Sequence, residues 1–186
     1  MHRIKLSVSL LALLVAATAA AQTGSTASRR FTLPEHGQFV IAVPADWKGE
    51  VSQSDNRMPP TITFTPASGK PFHILMTAIW PATKDQQPQS RDQLRATVQR
   101  GVDGARTQAV EKELRVVEFQ GRSGPGFYFS ATDRAPKPDE YKFLTQGVVR
   151  VGELSVTFTI LTNDGQDAVV KQALDALKSA TQEPTA

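Results

Sequence analysis

The sequence predicts an α+β layer architecture of seven or eight mostly antiparallel strands and two main helices. Three observations carry that reading. Short runs alternate apolar and polar residues and are separated by recognisable turns. One run, Phe72 to Trp80, is apolar on both faces. Two longer segments repeat their apolar residues at helical spacing.

The chain of 186 residues opens with Arg3 and Lys5, an apolar run from Leu6 to Ala17, and Ala19-Ala20-Ala21. That pattern predicts a signal peptide over residues 1–21 with cleavage before Gln22. The run is shorter than the ~20 apolar residues a spanning helix needs, so no membrane anchor is expected after processing. The remaining 165 residues suffice for one domain with a real core.

Cleavage removes two bases and no acid, so 19 bases face 18 acids and the balance falls from +3 to +1. A basic footprint for nucleic acid is thereby missing. The chain has no cysteine, which excludes disulfides, thiol catalysis, thiolate metal sites and the lipid attachment of a bacterial lipoprotein. These features together predict a free periplasmic or secreted protein.

Residues 22–30 are small and polar at first and read as a flexible entry segment, with order expected from about Phe31. Phe39, Ile41 and Val43 share one face of a strand that Pro44-Ala45-Asp46-Trp47 stops. A weaker strand spans about 48–54, and Asn56 to Pro60 is a loop. Ile62 and Phe64 alternate with Thr61, Thr63 and Thr65, the pattern of a half-buried strand. In the next run Phe72, Ile74, Met76 and Ala78 face one way, and Leu75 and Ile79 the other. Such a strand is expected at the centre of the sheet, covered on both sides.

Ser90 and Gln93 form a capping-box pattern at the head of a helix over 91–109. Its stripe is Leu94, Val98, Val102, Ala105 and Ala109, with Asp92–Arg95 and Asp103–Arg106 as marginal ion pairs. Gly101 and Gly104 weaken this helix and suit close packing. Strands follow over 114–119, 127–132, 141–151 and 154–162. Gly121–Gly126, Arg134–Asp139 and the two-residue turn Gly152-Glu153 join them. Asp164 is placed to cap a last helix whose core face is Val169, Val170, Ala173, Leu174 and Leu177. The domain therefore spans 31–181, with a frayed tail at 182–186.

The chemical inventory is sparse. His36 lies in a turn and His73 in the central strand, with no spacing for a local metal pair. Ser123, in Gly-Arg-Ser-Gly-Pro-Gly, approximates a nucleophile elbow, but strands flank it on both sides and the reading is a hairpin turn. Asp133, Asp139 and Glu140 bracket a loop with Arg134 and Lys137, whose bases oppose a cation site. Trp47, Trp80, Tyr128 and Tyr141 are weighed as a ligand groove against packing at strand ends. Arg95 and Arg106 read as solvated flanks of the first helix. No catalytic, metal or cofactor residue is assigned.

The stretch Phe39-Val40-Ile41-Ala42-Val43-Pro44-Ala45-Asp46-Trp47, with its strand, Pro, x, x, Trp order, resembles the opening of the PsbP, Mog1 and DcrB-like family. The later order of strands, helix, strand meander and closing helix is similar too, over about 31–180. The resemblance implies an antiparallel sheet sandwiched by helices, and a family of accessory proteins that mainly bind other proteins. No family active residues carry over to this chain. The leading expectation is a monomeric, non-enzymatic accessory protein that binds a protein partner. The alternatives are a module holding an apolar or anionic ligand near Trp80 and the first helix, and a hydrolase built on His73.

Overall fold

The computed structural model describes residues 25–53, 58–83 and 86–184. The signal-peptide reading of residues 1–21, with its cleavage point at Gln22, lies outside them. The fold is α+β, with two antiparallel sheets and two helices. Strands β3 (Trp47–Ser52), β4 (Thr61–Pro66), β5 (His73–Ile79), β6 (Val117–Gln120), β7 (Pro125–Thr132), β8 (Phe143–Val151) and β9 (Leu154–Thr162) form the larger sheet. Its order is β3-β4-β5-β9-β8-β7-β6. The smaller sheet, ordered β1-β2-β10, contains β1 (Thr26–Leu33), β2 (Gly37–Pro44) and β10 (Thr181–Glu183). Helix α1 spans Arg91–Ala105 and α2 spans Asp167–Ser179.

Alternation determines which face each strand buries. Ile62, Phe64, Ile74, Met76, Val156, Phe158 and Ile160 line one face of the large sheet. Against them pack Phe39, Ile41 and Val43 of β2, and Ala173, Ala176 and Leu177 of α2. A second, smaller core lies on the opposite face, where Leu94, Val98 and Val102 of α1 meet Phe127, Phe129, Ala131 and Val148. Each Val, Leu, Ile, Met or Phe side chain among these contributes ~1.5–3 kcal/mol on burial. Gly101 sets the distance of α1 from the sheet, because a Cβ there would stand 3.0 Å from the Phe129 ring and 3.1 Å from Gln146 Oε1. The capping box forms as expected: the Gln93 amide N–H donates to Ser90 Oγ at 3.3 Å, and the Ser90 N–H to Gln93 Oε1 at 2.7 Å.

Five expectations need correction. Strand β1 starts at Thr26, inside the segment read as flexible, because it pairs with β2 from Thr26↔Pro44 to Leu33↔Gly37. Its backbone bonds need no apolar side chains, so small polar residues concealed the strand. The tail is tied down likewise, with Thr181, Gln182 and Glu183 paired to Val40, Phe39 and Gln38. These two elements raise the count to ten strands. Helix α1 ends at Ala105, four residues before the expected 109, since Ala109 bridges to Asp133 and the Val110 N–H donates to the Thr132 carbonyl at 2.9 Å, which draws the chain off the helix axis. Asp164 does not cap α2: its carboxylate takes Lys142 Nζ at 2.9 Å, and Gln166 is the N-cap residue. Finally, among the described residues β5 is covered on one face only. Helix α1 lies over β7 and β8, so Leu75 is half-buried and Ile79 is 40% exposed.

Candidate functional site

The four aromatic candidates do not share a groove. Trp47 is buried between Phe64 and Phe72, with ring centroids 6.2 and 5.1 Å away. Trp80 stacks on His36 at 4.5 Å and 19°, and packs against the core between the sheets. That core is on the opposite side of the large sheet from α1, so the ligand position expected near Trp80 and the first helix is not assembled. Tyr128 packs on Phe119 at 6.0 Å. Tyr141 borders a cleft at the C-terminal end of α1.

The remaining candidates are also dispersed. His73 opens β5 opposite Leu161, and among the described residues no ion pair engages it. Ser123 lies in the β6–β7 hairpin turn, where Gly121 N–H donates to the Gly124 carbonyl and Arg122 N–H to the Lys178 carbonyl, both at 2.8 Å. In the loop after β7, Glu140 accepts from the Lys137 N–H at 3.0 Å, and Arg134 donates to the Ala109 carbonyl at 2.7 Å. No cluster of three potential metal ligands occurs among the described residues. Arg106 pairs with Asp103 at 3.3 Å. Arg91, not Arg95, takes Asp92 at 3.9 Å, and it also forms a forked pair with Glu118 of β6.

What the fold does assemble is an uncovered half of the large sheet. Cross-strand register aligns Ser52, Thr61, Thr77 and Thr157 in one row, and Glu50, Thr63, Leu75 and Thr159 in the next. The Thr61 and Thr77 hydroxyls share a hydrogen bond of 2.9 Å. Where this face meets α1, two clefts run along the helix flank. One, of about 240 Å³, is bordered by Thr97, Gly101, Gln146, Thr157 and Thr159. The other, of about 180 Å³, is bordered by Gln108, Tyr141, Leu144 and Leu161. The result is a threonine-rich surface with apolar side chains at Leu75, Ile79 and Leu161, all three at least partly exposed. Thr61-x-Thr63-x-Thr65 was visible in the sequence as a strand face, but nothing local signalled that the face stays open.

A second concavity, about 360 Å³, lies between α2 and the β7–β8 side of the other face. Its floor carries the Ser130 and Thr145 hydroxyls, 2.8 Å apart. Its rim carries Glu111, Asp167, Lys171, Asp175 and Lys178. Lys171 at 2.7 Å and Lys178 at 2.9 Å hold the Asp175 carboxyl below its ordinary range. Burial raises the Glu111 pKa, but hydrogen bonds from the Thr132 N–H (2.9 Å) and hydroxyl (2.7 Å) outweigh it and leave that pKa lowered. Sequence reading missed this groove because its hydroxyls and carboxylates come from elements distant in the chain.

The sequence matches no protein-family model and no curated protein. Among solved structures, the chain is similar to cyanobacterial PsbP (CyanoP) from Synechocystis sp. PCC 6803, whose structure was determined in solution. The TM-score is 0.50 at 13% identity, with 89% of this chain and 98% of that chain covered. At that identity the likeness establishes architecture alone. The chain thus has a PsbP-like α+β fold, as its strand-Pro-x-x-Trp opening implied.

Proposed function

We propose that this protein is an exported, non-enzymatic accessory protein that binds a protein partner across the open face of β4, β5 and β9. The observation that carries the reading is the second face of β5, over which the described residues lay no covering layer, leaving Leu75 half-buried and Ile79 exposed. A sheet face with apolar side chains in reach of water, bounded by a helix flank, suits a complementary protein surface. Export rests on the N-terminal pattern of residues 1–21. The PsbP-like fold is consistent with an accessory role.

A photo-crosslinking amino acid at Leu75 or Thr63, in cells that make the protein naturally, tests this reading. Exposed Glu113, outside the open face, serves as the control position. A discrete adduct from the face positions and none from Glu113 supports the proposal. Silence at both face positions, or the same adduct from Glu113, refutes it.

The groove beside α2 favours a second reading, a small-ligand module, because its Ser130–Thr145 hydroxyl pair and half-buried Val170 and Leu174 offer both polar and apolar contacts. Native mass spectrometry of the gently purified protein separates the two. A mass excess of a few hundred daltons that disappears in Leu174→Trp favours the ligand. A bare chain leaves the partner reading ahead.

A further inference from the structure

Strand β3 ends the large sheet, and each residue from Lys48 to Ser52 is exposed. Three observations show which of its backbone groups are free. The Ala67 N–H donates to the Asp46 carbonyl at 2.9 Å. Trp47 stands opposite Pro66, which has no N–H to give. The Trp47 carbonyl instead faces the Arg29 guanidinium, at 3.5 Å. Antiparallel ladders alternate, so the even-numbered residues bond to β4. Trp47, Gly49 and Val51 therefore turn their N–H and C=O groups outward; those of Gly49 and Val51 lie on exposed residues, a template for another strand, and Trp47 is buried beneath the Arg29 side chain.

Natural sheet edges are commonly blunted by charges that repel a second copy. Here the two charges on the edge are opposite in sign, Lys48 and Glu50, and point to one face. Neither takes part in an ion pair among the described residues. Two of the most exposed large apolar side chains, Val51 and Met58 at 52% each, belong to the same strand and the loop that follows it.

We propose that two copies of this chain pair their β3 edges antiparallel about Gly49, extending one sheet across a two-fold axis. In that register Gly49 faces Gly49, Val51 faces Trp47 of the second copy, and Lys48 faces Glu50 in both directions. The outward groups match as hydrogen-bonded pairs. Lys48 and Glu50 fall in the non-hydrogen-bonded pairs, where Cβ atoms approach to ~4.5–5.5 Å. Sliding the register by two residues either way sets Lys48 against Lys48 or Glu50 against Glu50, so the charges select one alignment. The Arg29 contact at 3.5 Å is long and yields to an incoming backbone N–H. A strand edge of six residues places such an interface at the weak end of the range, so the dimer is concentration-dependent. The sequence reading expects a monomer; the charge pattern of one edge, with its hydrogen-bond parity, points to a dimer. The inference is independent of the partner-binding reading.

Sedimentation velocity on the processed chain, from dilute to the highest attainable concentration, tests it. The native protein is expected to shift from monomer to dimer mass. Lys48→Glu and Glu50→Lys should each weaken the dimer by at least about tenfold. Their equimolar mixture should dimerise, because two acids then face two bases. Val51→Pro removes an outward N–H and no bond to β4, so it should abolish the dimer with an unchanged circular dichroism spectrum. A native chain that stays monomeric throughout overturns the proposal. So does a dimer that persists unweakened in both Lys48→Glu and Val51→Pro.

Discussion

Gly101 and Gly104 lie three residues apart on α1, and replacing each by alanine separates helix propensity from packing. Within a helix, alanine is favoured over glycine by ~0.5–1 kcal/mol. At Gly104 a Cβ would meet nothing within 4 Å, so Gly104→Ala should gain most of that, raising the melting temperature by ~2–4 °C. At Gly101 the same Cβ would stand 3.0 Å from Cε1 of Phe129 and 3.1 Å from Gln146 Oε1. Phe129 is fully buried and cannot swing aside. Overpacking of that kind costs ~1–3 kcal/mol, which cancels or exceeds the helix gain and leaves the protein up to ~2 kcal/mol less stable. Differential scanning calorimetry of the two variants and the parent decides the matter. If Gly101→Ala were as stable as Gly104→Ala, the close approach at residue 101 would not be what sets the height of α1 over the sheet.

Two further perturbations follow from the ties at the chain's end and beside α2. The Gln182 side chain donates to the His36 carbonyl and accepts from the Glu153 N–H, both at 2.9 Å. It thereby joins the β1–β2 and β8–β9 turns. Gln182→Ala should cost ~1–2 kcal/mol, two bonds at ~1 kcal/mol each, and an unshifted urea midpoint would dismiss the tie. Glu111 has a pKa lowered by its Thr132 bonds, so it binds its proton less readily folded than unfolded. Its contribution is therefore complete above the ordinary glutamate value of ~4.3 and fades as pH falls through the depressed folded value. Glu118, Glu140 and Asp175 share that sign. Urea midpoints between neutral pH and acid should show Glu111→Gln less stable at neutrality and less steep on the acid limb; an acid limb as steep as the parent's would rule the mechanism out.

The fold was legible wherever side chains carry the signal. The stripe of α1, its capping box, the strands over 127–132 and 154–162, and the Gly152-Glu153 turn, with Gly152 at φ 62°, all follow from patterns within a few residues. Strands β1 and β10 were not legible, because backbone pairing to β2 defines them and their side chains are mostly polar. Asp164 illustrates the same limit. Its position favours capping, but a lysine 22 residues earlier in the chain takes its carboxylate.

The site was less legible than the fold because cover is a property of layers, not of strands. The apolar residues on both faces of β5 predicted a layer over each face, and the described residues supply only one. A second layer would require α1 to lie over β5, but Gly101, Val98 and Val102 direct the helix onto Phe129, Phe127 and Val148 two or three strands away. Leu75, Ile79 and Leu161 are then apolar residues that this sheet's own layers leave partly exposed, set among threonines that tolerate either water or a partner. Selection for solubility alone would favour polar residues at Leu75 and Ile79. Polar replacement of both, Leu75→Thr with Ile79→Thr, should therefore leave the melting temperature within about 2 °C of the parent while removing the Thr63 crosslink. Loss of folding instead would mean that these side chains support the domain itself, and the open face would lose its claim to a partner.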